Sequence, residues 1–278
     1  MSDPDEIYNP QGTWLASALF AGVFFYFWLG LAPLSDMSGG SLAAYGESSN
    51  SLNQLVVFGM SFLVMTMLAL HPARILALKA LAPLGLVFFW VAVTIAFSDT
   101  PDAALRRTIY SILVCICASA VLLLPRDNVH FAKLVGFCLL VAVSLSYFGV
   151  IVLPARAIHQ ASDLSEQFLA GDWRGHFGHK NVAAAAMAFA VFFGLYLLRM
   201  KMVWMGLALT GLAAFFLLNS GGKTSAAMLP AVLVAAWLFE RLGPLRLVLV
   251  GGVLIAINFV ILSVAVSPEI NAFVTGLG

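Results

Sequence analysis

AKLVGFCLLVAVSLSYFGVIVL, residues 132–153, carries one charged side chain, Lys133, at its very start. That length and composition match the roughly 20 apolar residues a helix needs to cross about 30 Å of hydrocarbon. Runs of the same kind lie on both sides of it, at 14–34, 54–70, 80–98, 106–124, 182–198, 202–219, 225–239 and 245–267. In lipid a backbone must satisfy its own polar groups, and a helix does so within each segment. The pattern therefore predicts an all-α polytopic membrane protein of about nine transmembrane helices. On this reading 1–278 is a single transmembrane domain, with a short polar segment at 1–11 and a long connector at 154–181 leading into a helix.

Composition agrees. Of 278 residues, 62% are hydrophobic and 10% are Asp, Glu, Lys or Arg, against about 25% charged in an ordinary soluble domain. The polar start carries Asp3, Asp5 and Glu6 and has no basic n-region, so it does not read as a cleaved signal peptide and the first apolar run is expected to be retained. Cys115, Cys117 and Cys138 all fall inside apolar runs, where a small buried hydrophobe is the expected reading. The net charge of +1 comes without a basic stripe, which removes nucleic acid as a partner. Acidic residues are nearly absent from the apolar interiors, which speaks against a proton-coupled transporter. Asn53, Gln54 and Asn258 suit helix ends or bonds between helices. Ala184, Ala188 and Gly194 permit close helix packing. At Thr100-Pro101-Asp102 an N-cap residue, a proline at the first helical position and an early acid mark a helix start.

Orientation follows from the 14 Lys and Arg. With the N-terminus inside, Arg74, Lys79, Arg126, Lys133, Arg199, Lys201, Arg241 and Arg246 lie on inner connectors. Arg106, Arg107, Arg156, Arg174, Lys180 and Lys223 then lie on outer ones. The bias favours a cytoplasmic N-terminus. The connectors bearing Arg106 and Arg107, Arg174 to Lys180, and Lys223 then share the outer side and can converge on one anionic substrate.

Within the long connector, Trp173-Arg174-Gly175-His176-Phe177-Gly178-His179-Lys180-Asn181 concentrates cationic and titratable side chains. Arg174 offers a fork of donors for phosphate, and Lys180 a mobile charge. His176 and His179 are candidates for acid, base or hydrogen-bond partner, on one face if the connector is already helical. Asn181 is the N-cap candidate for the next helix, whose free N–H groups attract anions. Trp173 either stacks on a sugar or anchors the chain at the membrane surface. The whole run also suits an interfacial loop meeting lipid headgroups. Two histidines without a third ligand do not make a metal site, and no cofactor is implied.

A second polar island, Asn219 to Ser225, is not a nucleotide-binding loop, because Leu217 stands where such a loop needs glycine. It reads as a turn whose Lys223 reaches phosphate and whose Thr224 or Ser225 caps the next helix, or simply as a connector that ends one helix. Arg106 and Arg107 either contact phosphate or snorkel from a helix end.

The nine residues from Trp173 to Asn181 resemble the signature of the O-antigen ligase and polymerase superfamily, above all its exopolysaccharide-production branch. That branch places a tryptophan, a basic residue and a glycine ahead of an HKN segment opening a membrane helix. Phe97-Ser98-Asp99-Thr100-Pro101, followed by Arg106 and Arg107, resembles an earlier connector of that family, and 220–225 resembles its polar turn before a further span. The resemblance implies a GT-C-like inverting glycosyltransferase that polymerises or transfers undecaprenyl-diphosphate-linked glycan repeat units at the outer face of a bacterial inner membrane. Transfer to a lipid acceptor, or noncatalytic glycan binding in assembly, are the alternatives. It further implies Arg174 as a diphosphate contact, with His179, Lys180 and Asn181 at the HKN positions. Membrane lipids and polysaccharide assembly and export proteins are the implied partners. Family members continue into a larger outer loop and more spans, whereas this chain ends at Gly278 soon after the ninth run, so a truncated GT-C-like fold is expected.

Overall fold

The computed structural model describes residues 10–35, 51–70, 74–95, 97–162 and 167–267. Among these residues nine helices of 17 to 25 residues account for the nine apolar runs. We label them α1 (Pro10–Leu29), α2 (Ser51–Leu70), α3 (Arg74–Ile95), α4 (Pro101–Ala120), α5 (Asn128–Val152), α6 (Lys180–Arg199), α7 (Val203–Asn219), α8 (Lys223–Arg241) and α9 (Arg246–Val266). Five described segments are long and apolar enough to cross a membrane: Leu52–Leu70, Pro101–Leu123, Asn128–Val152, Lys180–Arg199 and Lys223–Arg241. The apolar stretches Trp14–Leu29, Ala82–Ile95, Val203–Asn219 and Arg246–Phe259 are shorter. The protein is thus all-α in its described part, with several helices suited to lipid.

Local chemistry sets the helix ends. α4 starts where Thr100-Pro101-Asp102 places it, with Thr100 at the N-cap position and Asp102 in the first turn, although the threonine side chain makes no cap bond. α5 begins at Asp127, whose carboxylate accepts the His130 N–H at 2.7 Å. Its far end is set by Pro154, which opens a single helical turn, Pro154–Ala157.

The chain forms two compact units, 1–222 and 223–278. In the first, α1, α5 and α7 run parallel to one another. Ser17, early in α1, meets His130 in the first turn of α5 at 3.1 Å, and Trp28 at the end of α1 meets the connector that follows α5. Phe131 joins α5 to both neighbours, edge-on to Phe20 and to Phe193 of α6 at 6.2 Å each. α6 returns antiparallel and makes the closest helix contact of the unit with α7. At their crossing a Cβ on Gly194 would lie 2.9 Å from the Thr210 backbone nitrogen, and one on Gly206 would lie 2.9 Å from the Gly194 carbonyl oxygen. Only glycine lets these backbones approach so closely, which bears directly on the small-residue pattern. α2 meets α1 through the Tyr26 hydroxyl, which donates to Asn53, and meets α4 through Ser61 and Cys117 at 3.2 Å.

The second unit holds α8 and α9, joined by a 3-10 turn, Gly243–Leu245. Arg241 lies 5.1 Å from the Trp237 ring centre and Arg246 lies 5.7 Å from that of Phe239, so both cations shelter on aromatic faces near the turn.

Candidate functional site

The ends of α1, α5 and α7 and the start of α6 meet at one end of the first unit, and the described residues of the connector, 154–162 and 167–179, are folded onto them. Its two flanks pair antiparallel. Ile158 bridges Trp173, the His159 N–H donates to the Asp172 carbonyl at 3.0 Å, and the Gly171 N–H donates to the His159 carbonyl at 2.9 Å. One step further, the N–H groups of Arg174 and Gly175 both reach the Ala157 carbonyl at 2.9 Å. Gly175 makes the following turn at φ +61°, and a Cβ there would press on Ser146 and Phe216, so the turn requires glycine twice over. The Trp173 N–H donates to the Asn219 carbonyl at 3.1 Å, which ties the connector to the end of α7.

This clasp buries Arg174. The residue is 5% exposed, and its Nε donates to the Arg156 carbonyl at 3.1 Å. Among the described residues no carboxylate pairs with the guanidinium and no other acceptor engages it. A buried, uncompensated cation is costly, so the site is electrostatically prepared for an anion.

Lys180 behaves differently. Its ammonium donates to Asp172 Oδ2 at 2.6 Å, with the two side chains 15% and 29% exposed, and it lies 3.5 Å from the Gly221 carbonyl oxygen. Its charge is balanced locally, and its bonds hold the connector against the turn after α7.

The histidines divide rather than share a face. Residues 176–179 form turns and bends, so the helical i,i+3 relation does not arise. His176 reaches inward: Nε2 lies 3.1 Å from the Trp28 carbonyl oxygen and Nδ1 lies 2.8 Å from Ser146 Oγ. A carbonyl only accepts, so Nε2 carries the proton and Nδ1 takes the serine hydroxyl. Burial pushes the pKa of His176 down to about 4, against the opposing effect of the Trp28 hydrogen bond, and keeps the ring neutral. His179, and not Asn181, is the N-cap of α6. Its backbone is extended (φ −148°, ψ 147°) and its Nδ1 accepts the Asn181 N–H at 3.1 Å. A ring nitrogen here does the work of a side-chain oxygen, and the helix starts at Lys180.

His159 carries no motif, and its place at the site comes only from the fold. It is 2% exposed, its Nε2 accepts the Lys180 N–H at 3.3 Å, and its ring meets that of His179 edge-on at 5.4 Å. Each of the three rings therefore has one nitrogen fixed by a backbone partner: His176 Nε2 donates, while His159 Nε2 and His179 Nδ1 accept. In the neutral state His179 carries its proton on Nε2 and can donate there, but that nitrogen has no lone pair with which to act as a base. Of the roles open to these histidines, the geometry displays the hydrogen-bonding one.

Other expected residues take different places. Trp173 is half-buried, edge-on to Tyr147 and Phe215 at 5.9 Å and to Phe216 at 5.3 Å, so it packs the connector onto α5 and α7. Arg106 and Arg107 are exposed on α4, which packs with α2 and α3, and no hydrogen bond or ion pair among the described residues joins them to the connector. Lys223 opens α8 in the second unit, which places Thr224 and Ser225 inside the first helical turn rather than at a cap. Asn181 is exposed in the first turn of α6. Among the described residues no three His, Cys, Asp or Glu side chains gather closely enough to hold a metal ion. Comparison with protein-family models, with characterised proteins and with solved structures finds no match for this chain.

Proposed function

We propose that this chain acts on undecaprenyl-diphosphate-linked glycan repeat units at the outer face of a bacterial inner membrane, transferring or polymerising them, with about nine helices crossing the bilayer. The observation that carries the reading is Arg174, nine-tenths buried, without a carboxylate partner among the described residues, and held in place by the Arg156 carbonyl. A diphosphate supplies the missing charge, and the guanidinium fork stabilises the negative charge that builds on it as the glycan leaves. The positive dipole end of α6, adjacent in the chain, adds to the same polarity, although the N–H groups of Lys180, Asn181 and Ala183 are already bonded to His159 and His179. Lys180 and Asp172 hold the clasp, and His176 and His159 fix its two flanks.

A second reading, binding and presentation of the lipid-linked glycan without turnover, is favoured by one observation: no histidine of the connector offers a basic nitrogen to an acceptor hydroxyl. Both readings are tested by supplying defined diphosphate-linked repeat units to membranes containing the protein, and measuring bound donor and elongated product separately. Turnover requires product that disappears in Arg174→Ala and is partly restored in Arg174→Lys. Donor binding that depends on Arg174 without product selects the binding reading. Binding and product both unaffected by Arg174→Ala refute the site. An accessibility probe at Asp172 that reports cytoplasmic exposure refutes the outer-face assignment.

A further inference from the structure

At the opposite end of the first unit, where α1 and α5 begin, lies a cleft of about 330 Å³ lined among others by Trp14, Ser17, Arg126, Asp127, His130 and Lys133. Its polar groups are mostly committed to one another. Asp127 Oδ1 accepts the His130 N–H at 2.7 Å, and Oδ2 faces Arg126 Nε at 3.4 Å. His130 Nδ1 accepts the Arg126 N–H at 3.1 Å, so in the neutral ring Nε2 carries the proton and donates to Ser17 Oγ at 3.1 Å.

Two cations are left over. The terminal nitrogens of Arg126 and the ammonium of Lys133 have no acceptor among the described residues, and the one acid of the cleft is already occupied with capping α5. Trp14, 66% exposed, stands at the rim. α5 is long and apolar enough to span a bilayer, and its first turn forms this cleft, so the cleft lies where a bilayer places its headgroups. An exposed tryptophan beside paired cations at that depth is the arrangement that meets a phosphate at the lipid interface.

We propose that the cleft between the starts of α1 and α5 binds the phosphodiester of an anionic phospholipid, with Arg126 and Lys133 on the phosphate and Trp14 against the glycerol and upper acyl chain. The site is independent of the glycan reading, because it uses other residues at the other end of the unit. The shared chemistry is a phosphate ester, and a soluble phosphate competes for the same cations.

The test uses the full chain in phosphatidylcholine nanodiscs containing brominated phosphatidylglycerol or, at equal mole fraction, brominated phosphatidylcholine. Quenching of Trp14 is isolated by subtracting the Trp14→Phe protein. Each cation near an anionic headgroup contributes about fivefold, so the wild type is expected to prefer the anionic lipid by about tenfold or more. That preference should vanish in Arg126→Gln/Lys133→Gln and persist in Arg126→Lys/Lys133→Arg, which keeps the charge. Equal quenching by both lipids in the wild type overturns the proposal, as does a preference that survives the double glutamine variant. A preference unchanged in millimolar inorganic phosphate supports the lipid as the source, and its loss overturns the lipid in favour of a soluble phosphate compound.

Discussion

His176 is a proton-linked fastener, and replacing it with asparagine should remove an acid sensitivity from the fold. In the folded chain its pKa is pushed down to about 4 from an ordinary 6.5, because the ring is buried between Ser146 and the end of α1. Below 6.5 the unfolded chain takes up a proton on this residue that the folded chain refuses until about 4. The unfolded state binds more protons across that window, so stability falls as the pH falls, and above 6.5 this group imposes no loss. A separation of about 2.5 pH units at about 1.4 kcal/mol each gives a full effect of about 3 kcal/mol.

In His176→Asn the amide oxygen can still accept from Ser146, but the shorter side chain gives up the Trp28 bond made by Nε2 and does not titrate. At neutral pH the variant should be less stable by roughly 1–2 kcal/mol through lost ring packing. Acidification should then bring the two proteins together and reverse their order, the wild type losing about 3 kcal/mol more than the variant between 6.5 and 4. Reversible unfolding in mixed micelles, followed by tryptophan fluorescence at a series of pH values, measures the difference, in which carboxylates and other histidines cancel. Parallel pH profiles for the two proteins would refute the buried, neutral ring.

Asp172→Asn should cost about 2 kcal/mol, less than a fully buried pair because both partners keep some solvent. Adding Lys180→Met should recover part of that loss, and a double-mutant cycle with no coupling would contradict the 2.6 Å contact. Gly194→Ala should destabilise by about 1–3 kcal/mol through overpacking at the α6–α7 crossing. Gly211→Ala, where an added Cβ meets nothing within 4 Å, should be neutral or slightly stabilising, and thermal unfolding of the two variants checks the contrast. His179→Ala should cost about 1 kcal/mol and speed hydrogen exchange at the Asn181 amide, while His179→Asn should restore protection as an ordinary N-cap.

Much of the helical frame is legible from local signals. Hydrophobic run length marks the helices, Thr100-Pro101-Asp102 starts α4 where its cap chemistry places it, and Gly194 sits at a helix crossing. The site is less legible, because its bonds join residues far apart in the chain. Histidine at 176 looks like a titrating group until Ser146 and Trp28, 30 and 148 positions away, take both ring nitrogens. Histidine at 159 has no neighbours that mark it. Asn181 is a better cap than histidine by propensity, yet the extended backbone at His179 puts an imidazole nitrogen within reach of the right N–H.

Hydropathy alone determined that this chain is built of lipid-compatible helices, and composition alone concentrated its cationic chemistry in one connector, because the cost of burying charge in hydrocarbon acts on every residue independently of the fold. Which cation keeps its charge available was decided only in three dimensions. As sequence, Arg174 and Lys180 are both candidates to meet an anion, but antiparallel pairing of the connector flanks sets Lys180 on Asp172 and turns Arg174 inward to a carbonyl, and pair electrostatics depends on distances of a few ångströms that sequence spacing does not specify.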